Sequence, residues 1–251
     1  MPILSIRALR KSFLHGHRDA VQRREALRGV DLDVERGEIL GIVGDKGCGE
    51  TTLLLCAAGL LRCDSGSIYW HGQRFSGGGC LPDLVYVPPV PTYYPFLSVR
   101  DVLSRHARRA SIRVGFAPAI EELSERVSLI DRLGTAVGAL EISELKRVAI
   151  AQAIIEQPKI ILLDGTLDAL DDGVSVVEHA IEDASIHGSM LIVCSRHASV
   201  VGRTATRIVV MDAGRVAASF KVESGAIESP ARNVAFAGIA SGVRQIAERV
   251  H

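Results

Sequence analysis

The residues best suited to chemistry lie in one glycine-rich segment, Gly41-Ile-Val-Gly-Asp-Lys-Gly-Cys-Gly-Glu-Thr-Thr52. Its spacing is that of a phosphate-binding loop, in which backbone N–H groups surround phosphate oxygens and a lysine reaches the terminal phosphates. The expected residue types stand at Gly44, Gly47, Gly49, Thr51 and Thr52. The lysine position, however, carries Glu50. The segment therefore predicts a nucleotide site that lacks its cation.

Glu50 also changes the sign of the charge at this position. Two unit charges about 4 Å apart interact by roughly 4 kcal/mol at an effective dielectric near 20. The reversal removes an attraction of that order and adds a comparable repulsion. Two alternatives remain open: the loop binds nucleotide through its backbone amides and Thr51, or Lys46, four residues earlier, turns toward the phosphates.

Composition narrows the class of protein. The chain has 251 residues, 47% hydrophobic and 23% charged, which suits one large α/β domain or a domain with an inserted lobe. A formal net charge of zero favours no nucleic-acid partner. The longest apolar run, Leu53 to Leu61, is nine residues, far below the roughly 20 needed to span a bilayer, so we expect no direct membrane insertion. The start of the chain lacks the pattern of a signal peptide, and the five cysteines are expected to be reduced thiols in the cytoplasm.

Hydrophobic periodicity predicts alternating strands and helices around the loop. Expected strands cover 3–12, 30–34, 39–43, 84–87, 158–164, 190–194 and 208–211, with a hairpin at 65–72. Expected helices cover 51–61, 99–109, 120–132, 142–156 and 174–186, and a loop is expected at 15–24. This order predicts an α/β fold of the P-loop class with a mainly parallel core sheet and an N-terminal antiparallel part. We expect one domain over 1–251, with a core formed by 1–87 and 141–251 and an inserted helical lobe at 88–140.

Four landmarks in order resemble the nucleotide-binding domain of ATP-binding-cassette (ABC) transporters over nearly the whole chain. Glu25–Val30 precedes the phosphate loop as in that family. Leu140–Ile150 aligns without gaps on the signature L-S-G-G-Q-x-x-R-V-A-I, and Pro158–Asp171 on the second phosphate-site motif and the loop after it. Arg207–Arg215 matches a late strand and turn. The resemblance implies an ABC-type nucleotide-binding domain.

The resemblance also implies roles for individual residues. Thr51 and Asp164 would hold magnesium, and Phe13 would either stack on adenine or serve only as a packed aromatic. Three family positions are changed: Pro89 stands where the γ-phosphate-sensing glutamine is expected, Gly165 in place of the water-polarising glutamate, and Ser195 in place of the switch histidine. ATP and magnesium are therefore expected cofactors of the family but are placed in doubt here.

The signature segment departs from the family as well. Its serine, two glycines and glutamine correspond to Glu141, Ile142, Ser143 and Glu144. In the family, ATP lies between two subunits, and the signature of one faces the phosphate loop of the other. A carboxylate at Glu141 would therefore impair the partner's site as well.

The resemblance implies a catalytically silent subunit on the inner face of the cell membrane, held there by a permease and paired with a second, active nucleotide-binding subunit. Its role would be structural or regulatory. Tyr93, Tyr94 and Phe96 either pack in the core or receive the permease. Two other functions stay open: an ATP-hydrolysing subunit with atypical motifs, and a soluble interaction protein outside transport.

Overall fold

Two β-sheets organise the part of the chain that the computed structural model describes, residues 2–15, 22–75, 79, 81, 83–109, 116–170 and 174–222. The strands are β1 (Leu4–His15), β2 (Gln22–Val34), β3 (Ile39–Gly44), β4 (Ser65–Trp70), β5 (Gln73–Phe75), β6 (Leu84–Val87), β7 (Ile160–Asp164), β8 (Met190–Ser195), β9 (Arg207–Asp212) and β10 (Arg215–Lys221). The helices are α1 (Glu50–Ala57), α2 (Val99–Arg109), α3 (Phe116–Arg126), α4 (Ile142–Ile155), α5 (Val174–Ile186) and α6 (Ala198–Thr204). Short 3₁₀ turns lie at Ile130–Arg132, Val137–Ala139 and Leu167–Ala169.

The first sheet is antiparallel, with the strand order β2-β1-β4-β5. Its inner face packs Ile6, Leu9 and Leu27 into a fully buried cluster beneath the sheet. The register of β1 and β2 places Phe13 directly opposite Arg24. Directly opposed residues on neighbouring strands have side chains within contact range, so the side chains of Phe13 and Arg24 lie close together.

The second sheet has the order β10-β9-β3-β8-β7-β6, with β10 antiparallel to β9 and all other neighbours parallel. Strands β3, β7 and β8 are buried along their whole length, as expected when helices cover both faces of a parallel sheet. Their carboxyl ends lie side by side and present Gly44, Asp164 and Ser195 at one edge. Open α/β sheets bind ligands at this edge.

Helices α2 and α3 follow β6 and pack against α4 and α5. Val99, Leu103 and Ile120 from this segment join the same buried cluster as Leu163 and Val193 of the large sheet. The predicted fold class is confirmed, since an antiparallel N-terminal sheet accompanies a mixed, mainly parallel sheet with helices. The division into a core and a lobe at 88–140 stays a prediction.

Several predicted elements are correct at both ends, namely the strand at 84–87 and the helices at 99–109 and 174–186. The predicted loop at 15–24 is wrong at its edges, because β1 reaches His15 and β2 begins at Gln22; residues 16–21 of that loop lie outside the described residues. The predicted helix 51–61 instead spans Glu50–Ala57, because Gly59 adopts a left-handed conformation (φ 74°) that ends it.

The helix predicted at 120–132 is displaced toward the N-terminus. Helix α3 covers Phe116–Arg126, and Ser128 adopts a left-handed φ of 52° before the 3₁₀ turn at Ile130–Arg132. An α-helix cannot continue through a left-handed residue, so the apolar periodicity beyond Arg126 reflects packing of the turn. The sequence pattern predicts neither α6 nor β10.

Candidate nucleotide site

The phosphate loop connects β3 to α1, and two of its glycines are required by close contacts. A Cβ atom at Gly44 would lie 2.5 Å from both Cys48 Sγ and the Met211 carbonyl oxygen. Gly49 has a φ of 111°, and a Cβ there would lie 2.4 Å from the Ala26 carbonyl oxygen. Only glycine fits such positions. The glycine spacing of the sequence therefore gives the loop its conformation.

A cavity of about 490 Å³ opens in front of this loop, and most of the predicted binding residues line it. It is lined by Phe13, Arg24, Ala26, Gly47, Gly49, Glu50, Thr51 and Thr52. The N–H of Leu53 donates to the Gly49 carbonyl oxygen (2.8 Å), so α1 starts at this turn. The first N–H groups of a helix lack intrahelical acceptors and favour an anion at that end. Gly44 lies at the end of β3 and does not line the cavity. The cavity thus combines an aromatic ring, hydroxyls and backbone donors, as a nucleotide requires.

Glu50 directs its carboxyl group into the protein. Its Oε1 atom is buried and has no hydrogen-bond partner among the described residues. Burial raises the pKa of Glu50 from 4.5 to about 7, and the nearby carboxylates of Asp164 and Asp168 add to this effect. A substantial share of the molecules therefore hold a neutral Glu50 near pH 7. The repulsion inferred from a full negative charge at this position is correspondingly smaller.

Asp164 ends β7 beside the first turn of α1. It accepts hydrogen bonds from Thr51 Oγ1 (3.1 Å) and from the Tyr86 hydroxyl (2.9 Å). Burial raises the pKa of Asp164, and the charge of Asp168 acts in the same direction. The structure thus brings together the two predicted magnesium-binding residues. Hydroxyl and carboxylate oxygens are ligands that magnesium prefers, so Thr51 and Asp164 fit the metal, which when bound would neutralise phosphate charge.

Gly165 follows Asp164 and adopts a left-handed φ of 55°. A Cβ there would be 3.7 Å from Asp168 Oδ2 and 3.8 Å from Pro89 Cβ, so space exists but the backbone conformation disfavours other residues. The Gly165 carbonyl oxygen accepts a hydrogen bond from Lys146 Nζ (2.8 Å). Lys146 is 5% exposed. Lys146 therefore places its side-chain nitrogen beside the residue that follows Asp164.

Ser195 lies at the end of β8 and is engaged within the chain. Its hydroxyl donates a short hydrogen bond to the carboxylate of Asp168 and accepts one from the His197 N–H (3.0 Å). Arg196 Nε lies 3.5 Å from Asp168 Oδ2. Asp168 is therefore bound by the hydroxyl of the last residue of β8 and by the guanidinium of the next residue. Asp171, in the same predicted loop, lies outside the described residues.

The signature segment forms the start of α4 and does not line the cavity. Glu141 precedes the helix, and its N–H donates to Glu144 Oε2 (3.0 Å). Arg132 Nε donates to Glu144 Oε1 (2.9 Å), so Glu144 is used inside the chain. Ile142 is 47% exposed and Ser143 follows it on the same turn. The predicted residues of this segment are thus at a helix N-terminus, apart from the phosphate loop.

Comparison with known proteins gives the family. Residues 27–167, more than half of the chain, match the family model described as "ABC transporter". The chain belongs to the ABC transporter family. Within it, the chain is 32% identical over 201 residues to the probable D,D-dipeptide transport ATP-binding protein of Escherichia coli (strain K12), covering 76% of this chain and 62% of that protein. It is also 32% identical over 214 residues to a methionine import ATP-binding protein of Rhizobium etli, covering 81% of this chain and 58% of the relative.

The chain therefore spans about three fifths of the length of these two ABC relatives. Among solved structures, it resembles a dimeric post-hydrolysis ATP-binding cassette bound to ADP and Pi, with a TM-score of 0.73 at 20% identity over 88% of this chain and 99% of that one. A nucleotide-free cassette gives a TM-score of 0.71 at 20% identity, covering 89% and 92% of the two chains. These likenesses show the ABC cassette fold. Within the described ranges, no helix has the length and apolar character to cross a membrane.

Three residues of this ABC site were missed from the sequence. Tyr86 binds Asp164, Lys146 binds the backbone of Gly165, and Arg24 lines the cavity. Arg24 is not a predicted site residue because the polar stretch around it predicts a loop rather than the start of β2. Residues Gln22–Glu25 are all polar, so no alternation of apolar and polar residues extends the strand predicted at 30–34 back to Arg24.

Proposed function

We propose that this chain is an ABC-type ATP-binding subunit with little or no ATP hydrolysis of its own, acting in a structural or regulatory role within a membrane transporter. The observation that carries the proposal is Glu50: the position of the phosphate-binding lysine holds an inward-facing carboxyl group beside Asp164 and Asp168. Phosphoryl transfer is catalysed by positioning and by neutralising developing charge. A third acid at this place works against that requirement.

The surroundings of Asp168 support the same proposal. Gly165 supplies no carboxylate to polarise an attacking water, and Ser195 already donates its hydroxyl to Asp168. Pro89 has no amide side chain to contact a metal or phosphate. Each of these contributions amounts to several kcal/mol of barrier lowering in enzymes that have it. Their joint loss accounts for the lack of turnover that we propose.

The partners we propose are a membrane permease and a second, active nucleotide-binding subunit, with the chain peripheral on the inner face of the membrane. Tyr94 and Phe96 support the permease contact, because they are 65% and 76% exposed and their rings pair 5.8 Å apart. Val90 beside them is 67% exposed. Tyr93, in contrast, packs against the core, which favours the packing alternative for that residue. Exposed aromatics grouped in this way are typical of interaction surfaces.

One observation favours the alternative of an ATP-hydrolysing subunit with atypical motifs. Thr51 Oγ1 and Asp164 Oδ1 lie 3.1 Å apart, and a hydroxyl beside a carboxylate offers oxygen ligands of the kind that magnesium prefers. Magnesium-dependent ATP hydrolysis by the purified chain, measured as phosphate release, separates the two proposals. We expect no release from the native chain and none from Glu50→Lys, because Gly165 is unchanged. Release that Asp164→Ala abolishes would establish the hydrolysing alternative.

The proposed partners are tested by gentle purification of the chain from its native membranes, with mass-spectrometric identification of bound proteins. We expect a permease together with a second nucleotide-binding subunit. Tyr94→Ala with Phe96→Ala should release the permease, whereas the equally exposed Ile186→Ala on α5 serves as the matched control. Recovery of the chain with no membrane protein would overturn the transport proposal in favour of a soluble interaction protein.

A further inference from the structure

The mouth of the nucleotide cavity carries a positive charge from a strand outside the phosphate loop. Arg24 on β2 donates from Nη2 to the carbonyl oxygen of Gly47 (3.3 Å). A Cβ at Gly47 would lie only 2.7 Å from the same nitrogen. The guanidinium therefore rests directly on the loop that surrounds phosphates. That hydrogen bond uses one of five N–H donors, which leaves the others for a ligand.

The other charges near the loop are arranged so that Arg24 is the group a ligand meets. Among the described residues that line the cavity, Arg24 is the one cation. Lys46 is exposed and does not line the cavity. The Glu50 carboxyl group points inward, toward Asp164 and Asp168, with one oxygen fully buried. An anion in the cavity therefore meets the guanidinium of Arg24 at the mouth, while Glu50, which also lines the cavity, directs its carboxyl group toward Asp164 and Asp168.

Phe13 gives the cavity a second recognition element beside Arg24. The two residues are direct cross-strand partners, and both line the cavity. Lys11 lies over the Phe13 ring, with Nζ 5.6 Å from its centroid, but it is already bound to Asp64 (3.0 Å). Phe13 remains 41% exposed. An aromatic ring next to a guanidinium suits a flat base joined to a chain of phosphates.

We propose that Arg24 takes the place of the missing lysine as the phosphate-binding cation, so that the chain binds a nucleoside polyphosphate. That the bound nucleotide is not hydrolysed rests on the function proposed above. The binding of the nucleotide through Arg24 does not depend on that proposal. Arg24 contacts phosphate, the N–H groups before Leu53 contact it from the loop, and Phe13 holds the base. The site then acts as a binding module.

Binding is measured on the full chain by isothermal titration with ATP and, separately, with inorganic tripolyphosphate, which lacks a base. Arg24→Gln should raise the Kd for both probes at least about tenfold, the equivalent of one lost charge-assisted hydrogen bond. Phe13→Ala should weaken ATP alone. Arg23→Gln is the matched control, because successive residues of a strand face opposite sides and Arg23 donates to Ser12 Oγ of β1. Lys46→Gln tests the competing lysine, and Arg24→Lys, which keeps the charge, should retain most of the affinity.

Two results would overturn the proposal: no binding of either probe by the native chain, or equal affinities for Arg24→Gln and Arg23→Gln. Loss of affinity in Lys46→Gln but not in Arg24→Gln would assign the role to Lys46 instead. Hydrolysis of bound ATP would refute the silent-subunit proposal and leave the assignment of Arg24 intact. The two proposals therefore fail in distinguishable ways.

Discussion

Replacing Glu50 by Gln should stabilise the protein, increasingly so as the pH rises from 4.5 to about 7. The folded state raises the pKa of Glu50 from 4.5 to about 7, so it binds this proton more tightly than the unfolded chain does. The destabilisation is therefore absent below pH 4.5, grows as the pH rises, and is complete above about pH 7. At 1.36 kcal/mol per pH unit the shift corresponds to at most about 3 kcal/mol. Because Glu50 is partly exposed, screening by solvent reduces this to about 1–2 kcal/mol.

The free energy of unfolding in urea, measured for the native chain and Glu50→Gln at several pH values from 5 to 8, checks this reasoning. The difference should be smallest at pH 5, roughly a quarter of its full size, and reach about 1–2 kcal/mol in favour of the variant at pH 8. Glu125→Gln, at an exposed position of α3, is the control and should show no such trend. A Glu50→Gln difference that is constant across this range, or a variant that is less stable at pH 8, would refute the burial of a titrating carboxyl group.

Three further substitutions test the packing around the site by urea unfolding. Gly165→Ala should cost about 1 kcal/mol, because φ is 55° there; an unchanged or higher stability would contradict the strain. Gly41→Ala should cost about 1–3 kcal/mol, since its Cβ would lie 2.0 Å from Val201 Cγ1. Val201→Ala in the same chain should recover part of that loss, and no recovery would refute the clash. Tyr86→Phe removes the hydrogen bond to Asp164 and should cost about 1–3 kcal/mol; a neutral result would show that water replaces it.

The loop and the ends of the buried strands could be predicted from the sequence for a physical reason. Glycine spacing reflects backbone constraints that are local, as at Gly44 and Gly49, where any Cβ would collide with the chain. Asp164 ends an apolar run that reads as a buried strand, and parallel strand ends meet at one edge. The site's position therefore follows from local pattern and topology together.

The direction and partners of side chains could not be predicted. The sequence predicts a fully charged Glu50 that faces the ligand. In the structure one oxygen of its carboxyl group is buried, and the group lies near Asp168, a residue more than 100 positions later. Arg24 contacts the phosphate loop only because the fold brings β2 next to Gly47. Lys146 lies within a helical pattern that gives no sign of its contact with Gly165. Each of these depends on tertiary packing, which single-sequence periodicity does not encode.

The contact between Lys146 and the Gly165 carbonyl oxygen also bears on motion. It links α4 to the residue that follows β7, and Lys146 as a whole is almost entirely buried. Separating the two elements would break this hydrogen bond, at a cost of about 1.5–3 kcal/mol for a bond that involves a charged group. Rotation of α4 away from the sheet must therefore break this contact first. Movement imposed on α4 from outside would reach the loop behind Asp164 directly, with or without a nucleotide to transmit it.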